Sequence, residues 1–95
     1  MQILINENWR VTADHYNYIL ERKNINQKAD SKKFGEEYWV SDGFYSSVED
    51  CFSGYLDKKI KESDVKSIKE LIQLVNDTRQ EIEGLRQELT EAVRV

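Results

Sequence analysis

One histidine and one cysteine occur in the chain, and these two side chains limit the chemistry that it can perform. His15 follows Asp14, but no recognisable nucleophile signature surrounds it, so the sequence does not predict a catalytic triad. Cys51 lies on the apolar face of a predicted helix, which favours a buried and unreactive thiol. Together they cannot complete the closed ligand set of a structural zinc site. We therefore expect no enzymatic activity, no catalytic residues, no metal site and no bound cofactor.

The chain is acidic, with a net charge of −4, and this charge restricts its partners. An acidic surface is not typical of sequence-independent binding to nucleic acid or to an anionic membrane. No apolar run approaches the roughly 18 residues of a membrane-spanning helix, and the first residues lack the basic start of a secretory signal. A single cysteine fits a reducing compartment. We expect a cytoplasmic protein with no membrane contact and no direct binding of nucleic acid.

The pattern of apolar residues predicts an α+β fold in one domain, residues 1–95. In residues 1–45, four segments rich in strand formers predict a meander of three or four antiparallel strands. These segments are residues 2–6, 9–13, 18–23 and 36–41. The pair Asp42-Gly43 is a turn signal, so a short hairpin is expected there before the helices.

Two helices are expected to follow the strands. Ser46 and Glu49 form a predicted capping box for the first helix, residues 46–62. The second helix, residues 63–95, is long, with Ser63 or Asp64 as its N-cap. Its first half carries a broad apolar stripe, which we expect to be buried against the body of the domain. The stripe contains Val65, Ile68, Leu71, Ile72, Leu74 and Val75.

The apolar stripe narrows in the second half of the long helix. The remaining apolar positions follow a heptad register, which is the spacing of a coiled-coil seam. We therefore expect a homodimer through the C-terminal helix. The predicted oligomerisation residues are Ile82, Leu85, Leu89 and Ala92.

Aromatic and acidic residues in the middle of the chain predict a surface that binds a partner. Because side chains alternate along a strand, Tyr38 and Trp39 cannot both point inward, and some aromatic side chains must be exposed. From Glu36 to Asp57, both included, the chain has six acidic residues and no basic residue. They form either a patch that mimics nucleic acid or a solvated face. The predicted partner-binding residues are Glu36, Glu37, Tyr38, Asp42, Tyr45, Glu49 and Asp50.

Four stretches of the sequence carry a resemblance to a known family. They are Asn-Trp-Arg-Val-Thr-Ala-Asp-His-Tyr-Asn-Tyr-Ile-Leu at 8–20, Glu-Glu-Tyr-Trp-Val at 36–40, Gly-Phe-Tyr-Ser-Ser-Val-Glu at 43–49, and Ser-Asp-Val-Lys-Ser-Ile-Lys-Glu-Leu at 63–71. With these stretches the chain resembles a family of small uncharacterised proteins of tailed phages and prophages of low-GC Gram-positive bacteria. The resemblance implies a phage accessory protein, of the kind that includes anti-CRISPR inhibitors and other antagonists of host defence.

These observations lead to one expected function and two alternatives. We expect a non-enzymatic inhibitor that binds and occludes a host defence protein or ribonucleoprotein complex in an infected bacterium. One alternative is a sponge for signalling nucleotides, in which aromatic rings stack on bases and Arg10, Arg22 or Lys23 hold phosphates. The other alternative is a small phage transcription regulator, which is disfavoured because no basic helix is available to enter a DNA groove.

Overall fold

The fold was obtained as a computed structural model, which describes residues 1–28, 32 and 34–93. The elements are β1 (Gln2–Leu4), β2 (Trp9–Ala13), β3 (Tyr18–Ile25), β4 (Glu37–Tyr45), α1 (Val48–Lys61) and α2 (Ile68–Val93). The strands form one antiparallel sheet in the order β1-β2-β3-β4. The predicted α+β class, with a meander followed by a shorter and a longer helix, is confirmed.

The chain divides into two compact units, Met1–Cys51 and Phe52–Val95. Each unit has its own set of buried side chains, and these are mainly apolar, as expected for a small hydrophobic core. In the first unit they are Ile5, Trp9, Val11, Leu20 and Cys51, and in the second Phe52, Tyr55, Thr78, Ile82 and Leu85. In the described part of the chain, no helix combines the length and the hydropathy that a membrane crossing requires.

Two tight turns of the meander depend on particular residue types. Between β1 and β2, the Oδ1 atom of Asn6 accepts the backbone N–H groups of Asn8 and Trp9, at 2.8 and 3.1 Å. This side chain supplies an acceptor that the backbone of a tight turn lacks. Two residues before β4, Gly35 has a positive φ of 83° and donates its N–H to the carbonyl oxygen of Asn26. Glycine adopts this conformation without the strain that a side chain would cause.

The pair Asp42-Gly43 does not form the predicted turn. Instead β4 continues through both residues, and its pairing with β3 passes from Ser41 to Gly43 so that Asp42 is an extra, bulged residue. The strand continues there because β3 pairs with Ser41 before the bulge and with Gly43 after it. The ring of Tyr45 covers Gly43 so closely that a Cβ atom at this glycine would lie 2.6 Å from the Tyr45 hydroxyl oxygen.

Two glycine-to-alanine substitutions are expected to change stability in opposite directions. Gly43→Ala should lower the free energy of unfolding by about 1–2 kcal/mol, because the added methyl group displaces the Tyr45 ring. Gly84→Ala should raise it by up to about 1 kcal/mol, because this glycine is exposed inside α2 and glycine is a poor helix former. A Cβ at Gly84 would meet no atom within 4 Å. Urea denaturation followed by circular dichroism measures both changes, and a shift in the same direction for the two variants would contradict the structure.

The N-cap of α1 lies one residue later than predicted. The backbone N–H of Asp50 donates to the Oγ of Ser47 at 3.1 Å, which is the capping contact. Ser46 donates its hydroxyl to the Asp50 carboxylate at 3.2 Å. The predicted pair of Ser46 and Glu49 is therefore replaced by Ser47 and Asp50, and α1 begins at Val48.

The N-cap of α2 also differs from the prediction. Ser67 is the cap, because its Oγ accepts the N–H of Glu70 at 3.2 Å, and the Glu70 carboxylate accepts the N–H of Lys66 at 3.0 Å. Neither predicted cap, Ser63 or Asp64, adjoins the helix, and Ser63 instead donates its hydroxyl to the carbonyl oxygen of Ile60 at 2.7 Å. Residues 64–66 therefore lie outside the helix, which begins at Ile68.

A side-chain hydrogen bond joins the two helices within the second unit. The Tyr55 hydroxyl of α1 donates a hydrogen bond to the Glu81 carboxylate of α2. We expected the first half of the long helix to be the buried half. That expectation is wrong for Ile68 and Ile72, which are 72% and 55% exposed.

Candidate functional site

One face of the sheet is largely exposed, and we call it the open face. The apolar side chains of Leu4, Ile25 and Phe44 on this face are each more than half exposed, whereas Val11 and Leu20 on the opposite face are buried. An exposed face that mixes apolar, aromatic and charged side chains is typical of a protein-binding surface. The side chains of the open face are Gln2, Leu4, Arg10, Thr12, Ile19, Glu21, Lys23, Ile25, Glu37, Trp39, Ser41 and Phe44.

Charged side chains surround Trp39 on the open face. The guanidinium carbon of Arg10 lies 4.3 Å from the centre of the Trp39 ring, and Arg10 also donates its Nε–H to the Glu21 carboxylate at 2.8 Å. The ammonium nitrogen of Lys23 lies 5.2 Å from the same ring centre and 3.1 Å from the Glu37 carboxylate. Cation–π contacts of this kind contribute about 0.5–2 kcal/mol each. Both contacts favour the orientation of the indole ring that is seen in the structure.

A third cation–π contact lies on the opposite face of the sheet. The guanidinium carbon of Arg22 is 4.5 Å from the centre of the Trp9 ring. The same arginine donates to the Asp42 carboxylate at 3.0 Å. Asp42, which we predicted as a partner-binding residue, is therefore held in an ion pair on the face opposite to Trp39.

The structure does not gather the predicted partner-binding residues into one patch. Glu36, Glu37 and Tyr38 are exposed at the start of β4, whereas Tyr45 is half-buried at its end. Strands rise about 3.3 Å per residue, so Glu37 and Tyr45 lie roughly 26 Å apart. The last two predicted residues are in the first turn of α1, and they are Glu49 and Asp50. A role in partner binding stays a prediction for all seven residues. Among them, only Glu37 belongs to the open face.

The predicted oligomerisation residues differ in their exposure. Ile82 and Leu85 are only 4% and 7% exposed in a single chain, so a second copy cannot reach them in this arrangement. Leu89 is half-buried. The side chain of Ala92 lies outside the described residues. Dimerisation through the C-terminal helix therefore stays a prediction. The helix has less accessible apolar surface for a second copy than the sequence indicates.

The residues that could carry chemistry lie apart. His15 is exposed in the turn before β3, with its ring centre 6.3 Å from that of Tyr16. Backbone N–H groups of Tyr16 and Asn17 donate to the neighbouring Asp14 carboxylate and hold its pKa below the ordinary value. Cys51 is fully buried, and burial raises the pKa of its thiol from 9.0 to about 11. Among residues 1–28, 32 and 34–93, no group of three or more His, Cys, Asp or Glu could hold a metal ion.

The exposed apolar side chains of the open face, Leu4, Ile25 and Phe44, were not among the predicted partner-binding residues. Alternation in β2 correctly separates Arg10 from Trp9 and Val11, and this is the signal that could have located the face. However, the register of β1 against β2 and of β4 against β3 is needed to show that Leu4 and Phe44 lie on the same face as Arg10.

Comparisons with known proteins gave no relative. No protein-family model matches the chain, and no curated protein or solved structure matches it. The resemblance to phage proteins therefore stays a prediction, and a function has to be argued from the surfaces described above.

Proposed function

We propose that the protein is a non-enzymatic phage accessory protein that inhibits a bacterial defence system. In this proposal it binds a defence protein or a protein–nucleic acid complex, as anti-CRISPR proteins do, and occludes the surface with which that complex works. The observation that supports it best is the open face, where large apolar side chains remain exposed on the same side of the sheet as a tryptophan that two cations contact.

The open face has the features of a binding surface with energetic anchors. Phe44 and Leu4 offer apolar area that a partner would remove from water, at roughly 25 cal/mol per Å². Trp39 is already held by Arg10 and Lys23, so little rotamer entropy would be lost on binding. Tryptophan and arginine are the residue types that most often dominate the energy of interfaces.

Acidic side chains beside the open face favour a basic partner. Glu36 and Glu37 are exposed where β4 begins, and the chain as a whole is acidic. Complementary charge speeds association and disfavours wrong partners more than it adds affinity. A basic groove that normally holds nucleic acid is therefore the kind of surface that the protein would occlude, in the cytoplasm of an infected cell.

The alternatives receive less support from the described residues. The three cations expected to hold phosphates in a nucleotide sponge, Arg10, Arg22 and Lys23, each contact a carboxylate at 2.8–3.1 Å. A nucleotide would have to break these ion pairs before it could bind. A transcription regulator would need a basic helix, whereas the distal part of α2 mixes arginine and glutamate.

Phage infection of strains that each carry one defence system tests the proposal. The unaltered protein should restore plaque formation on at least one strain, and Phe44→Asp should reduce that effect about tenfold or more, because a charge would be buried against the partner. Ile72→Asp is the matched control, since it also replaces an exposed apolar residue but lies on α2. The proposal would be contradicted if the unaltered protein restored plaque formation on no strain. It would also be contradicted if Phe44→Asp restored plaque formation as well as the unaltered protein does.

A further inference from the structure

The two edges of the sheet differ in how well they are protected. β1 has only three residues, whereas β4 has nine, with neither proline nor lysine. Natural proteins usually protect an edge strand by shortness, lysine, proline or a bulge. The bulge at Asp42 interrupts β4 but leaves residues 37–41 regular. On the face where Val11 and Leu20 are buried, Tyr38 and Val40 are still 48% and 38% exposed.

The hydrogen-bond pattern shows which backbone groups of β4 point away from β3. The N–H of Asn26 donates to the carbonyl oxygen of Glu36 at 2.9 Å, whereas the N–H of Lys23 points towards β2 and donates to Asn8 at 2.8 Å. The even-numbered residues at this end of β3 therefore bond towards β4. Hydrogen-bonded and non-bonded pairs alternate along an antiparallel ladder, so Tyr38 and Val40 bond towards β3. The intervening residues direct their N–H and C=O groups to the open edge, and these residues are Glu37, Trp39 and Ser41.

We propose that two copies of the chain pair antiparallel through this edge, about a two-fold axis at Trp39, and join their sheets into one. In this register Glu37 lies opposite Ser41 of the second copy, and Trp39 lies opposite its own equivalent. All three edge-facing residues then form hydrogen-bonded pairs, each of which exchanges two backbone bonds. A closed interface that uses the same surface on both copies is the commonest kind in homodimers.

The side chains of β4 suit this register. Tyr38 lies opposite Val40 of the second copy, which is a favourable pairing of an aromatic with a β-branched residue and covers both exposed side chains. Within residues 37–41 no like charges face each other, because Glu37 is opposite a serine. Just outside this stretch Glu36 lies opposite Asp42 of the second copy, whose carboxylate is already paired with Arg22. The regular stretch runs from Glu37 to the bulge and is centred on Trp39. Sliding the second copy by two residues therefore leaves fewer hydrogen-bonded pairs.

This pairing goes beyond the proposed function, and it uses a different surface from the helix-mediated dimer expected from the sequence. It brings the open faces of two copies side by side, with a Trp39 from each at the junction. A partner would then meet a surface about twice as wide, without any new contact type.

Sedimentation of the purified chain, from about 5 μM to about 1 mM, tests the pairing, because an interface of this small size is expected to be weak. The unaltered chain should dimerise within that range. Ser41→Pro should raise the dissociation constant about tenfold or more, since it removes an N–H that faces the edge and not one that bonds to β3. Ser41→Ala, which keeps the N–H, should stay within about twofold of the unaltered chain.

Two further variants keep the test decisive if the proline variant does not fold. Tyr38→Lys puts a charge at the edge of the pairing and should also weaken the dimer about tenfold or more. Ile72→Asp lies on α2 and should leave dimerisation unchanged. A chain that stays monomeric at about 1 mM overturns the proposal. So does a dimer that resists Tyr38→Lys, or one that is lost in Ile72→Asp.

Discussion

Replacing Tyr55 with alanine is expected to lower the free energy of unfolding by about 3–5 kcal/mol. The side chain is fully buried, so its removal leaves a cavity as large as an aromatic ring. Its hydroxyl also joins α1 to α2 through Glu81. A chain of this length has only about 5–14 kcal/mol of stability in total, so the loss is a large share of it. Urea denaturation monitored by circular dichroism gives the change directly.

Two controls separate the parts of this effect. Tyr55→Phe keeps the ring but leaves the Glu81 carboxylate without this donor, and should cost about 1–3 kcal/mol. Tyr16→Ala removes the same side chain where it is 88% exposed, and should change stability by less than about 0.5 kcal/mol. If Tyr55→Ala were as mild as Tyr16→Ala, the burial of Tyr55 described here would be incorrect.

Alkaline pH is expected to destabilise the fold through Cys51. Burial raises the pKa of this thiol from 9.0 to about 11. Between these values the unfolded chain releases the thiol proton and the folded chain keeps it, so the free energy of unfolding falls as the pH rises. The contribution of the protonated Cys51 thiol to the free energy of unfolding is fully present below pH 9 and is lost by about pH 11. The free energy of unfolding falls by about 2–3 kcal/mol over this range.

A comparison with Cys51→Ala isolates this effect from that of other titrating groups. Tyrosine and lysine side chains also ionise in this range, but they do so equally in both proteins. Stability measured by urea denaturation at pH 8, 9, 10 and 11 should therefore fall more steeply for the unaltered chain. Parallel curves for the two proteins would show that the thiol is accessible to solvent.

Local patterns in the sequence were sufficient to predict the class of the fold. Strand formers in residues 9–13 predicted β2, and alternation places Trp9 and Val11 on one face, where the structure shows both side chains buried. Helical spacing in residues 46–62 predicted α1 to within two residues at its start. These features depend on near neighbours in the chain, which is why periodicity detects them.

Features that depend on distant residues could not be predicted. The apolar stripe of α2 runs from Ile68 to Leu89, but its buried positions lie only from Thr78 to Leu85. Which part this is depends on the length of the connection, and Ser67 shortens the helix by capping it later than expected. The acidic residues of β4 likewise form pairs with cations of β3, and only the register reveals these pairs.

The extra residue at Asp42 decides which aromatic side chains a partner can meet. Trp39 and Phe44 are separated by an odd number of positions, so a regular strand would place them on opposite faces. The bulge shifts the phase of the strand by one, and both then lie on the same side. Deleting the codon of Asp42 would leave Phe44 four positions after Trp39, so a regular strand would keep both rings on one side. The open face would survive such a deletion, and the carboxylate that pairs with Arg22 would be lost.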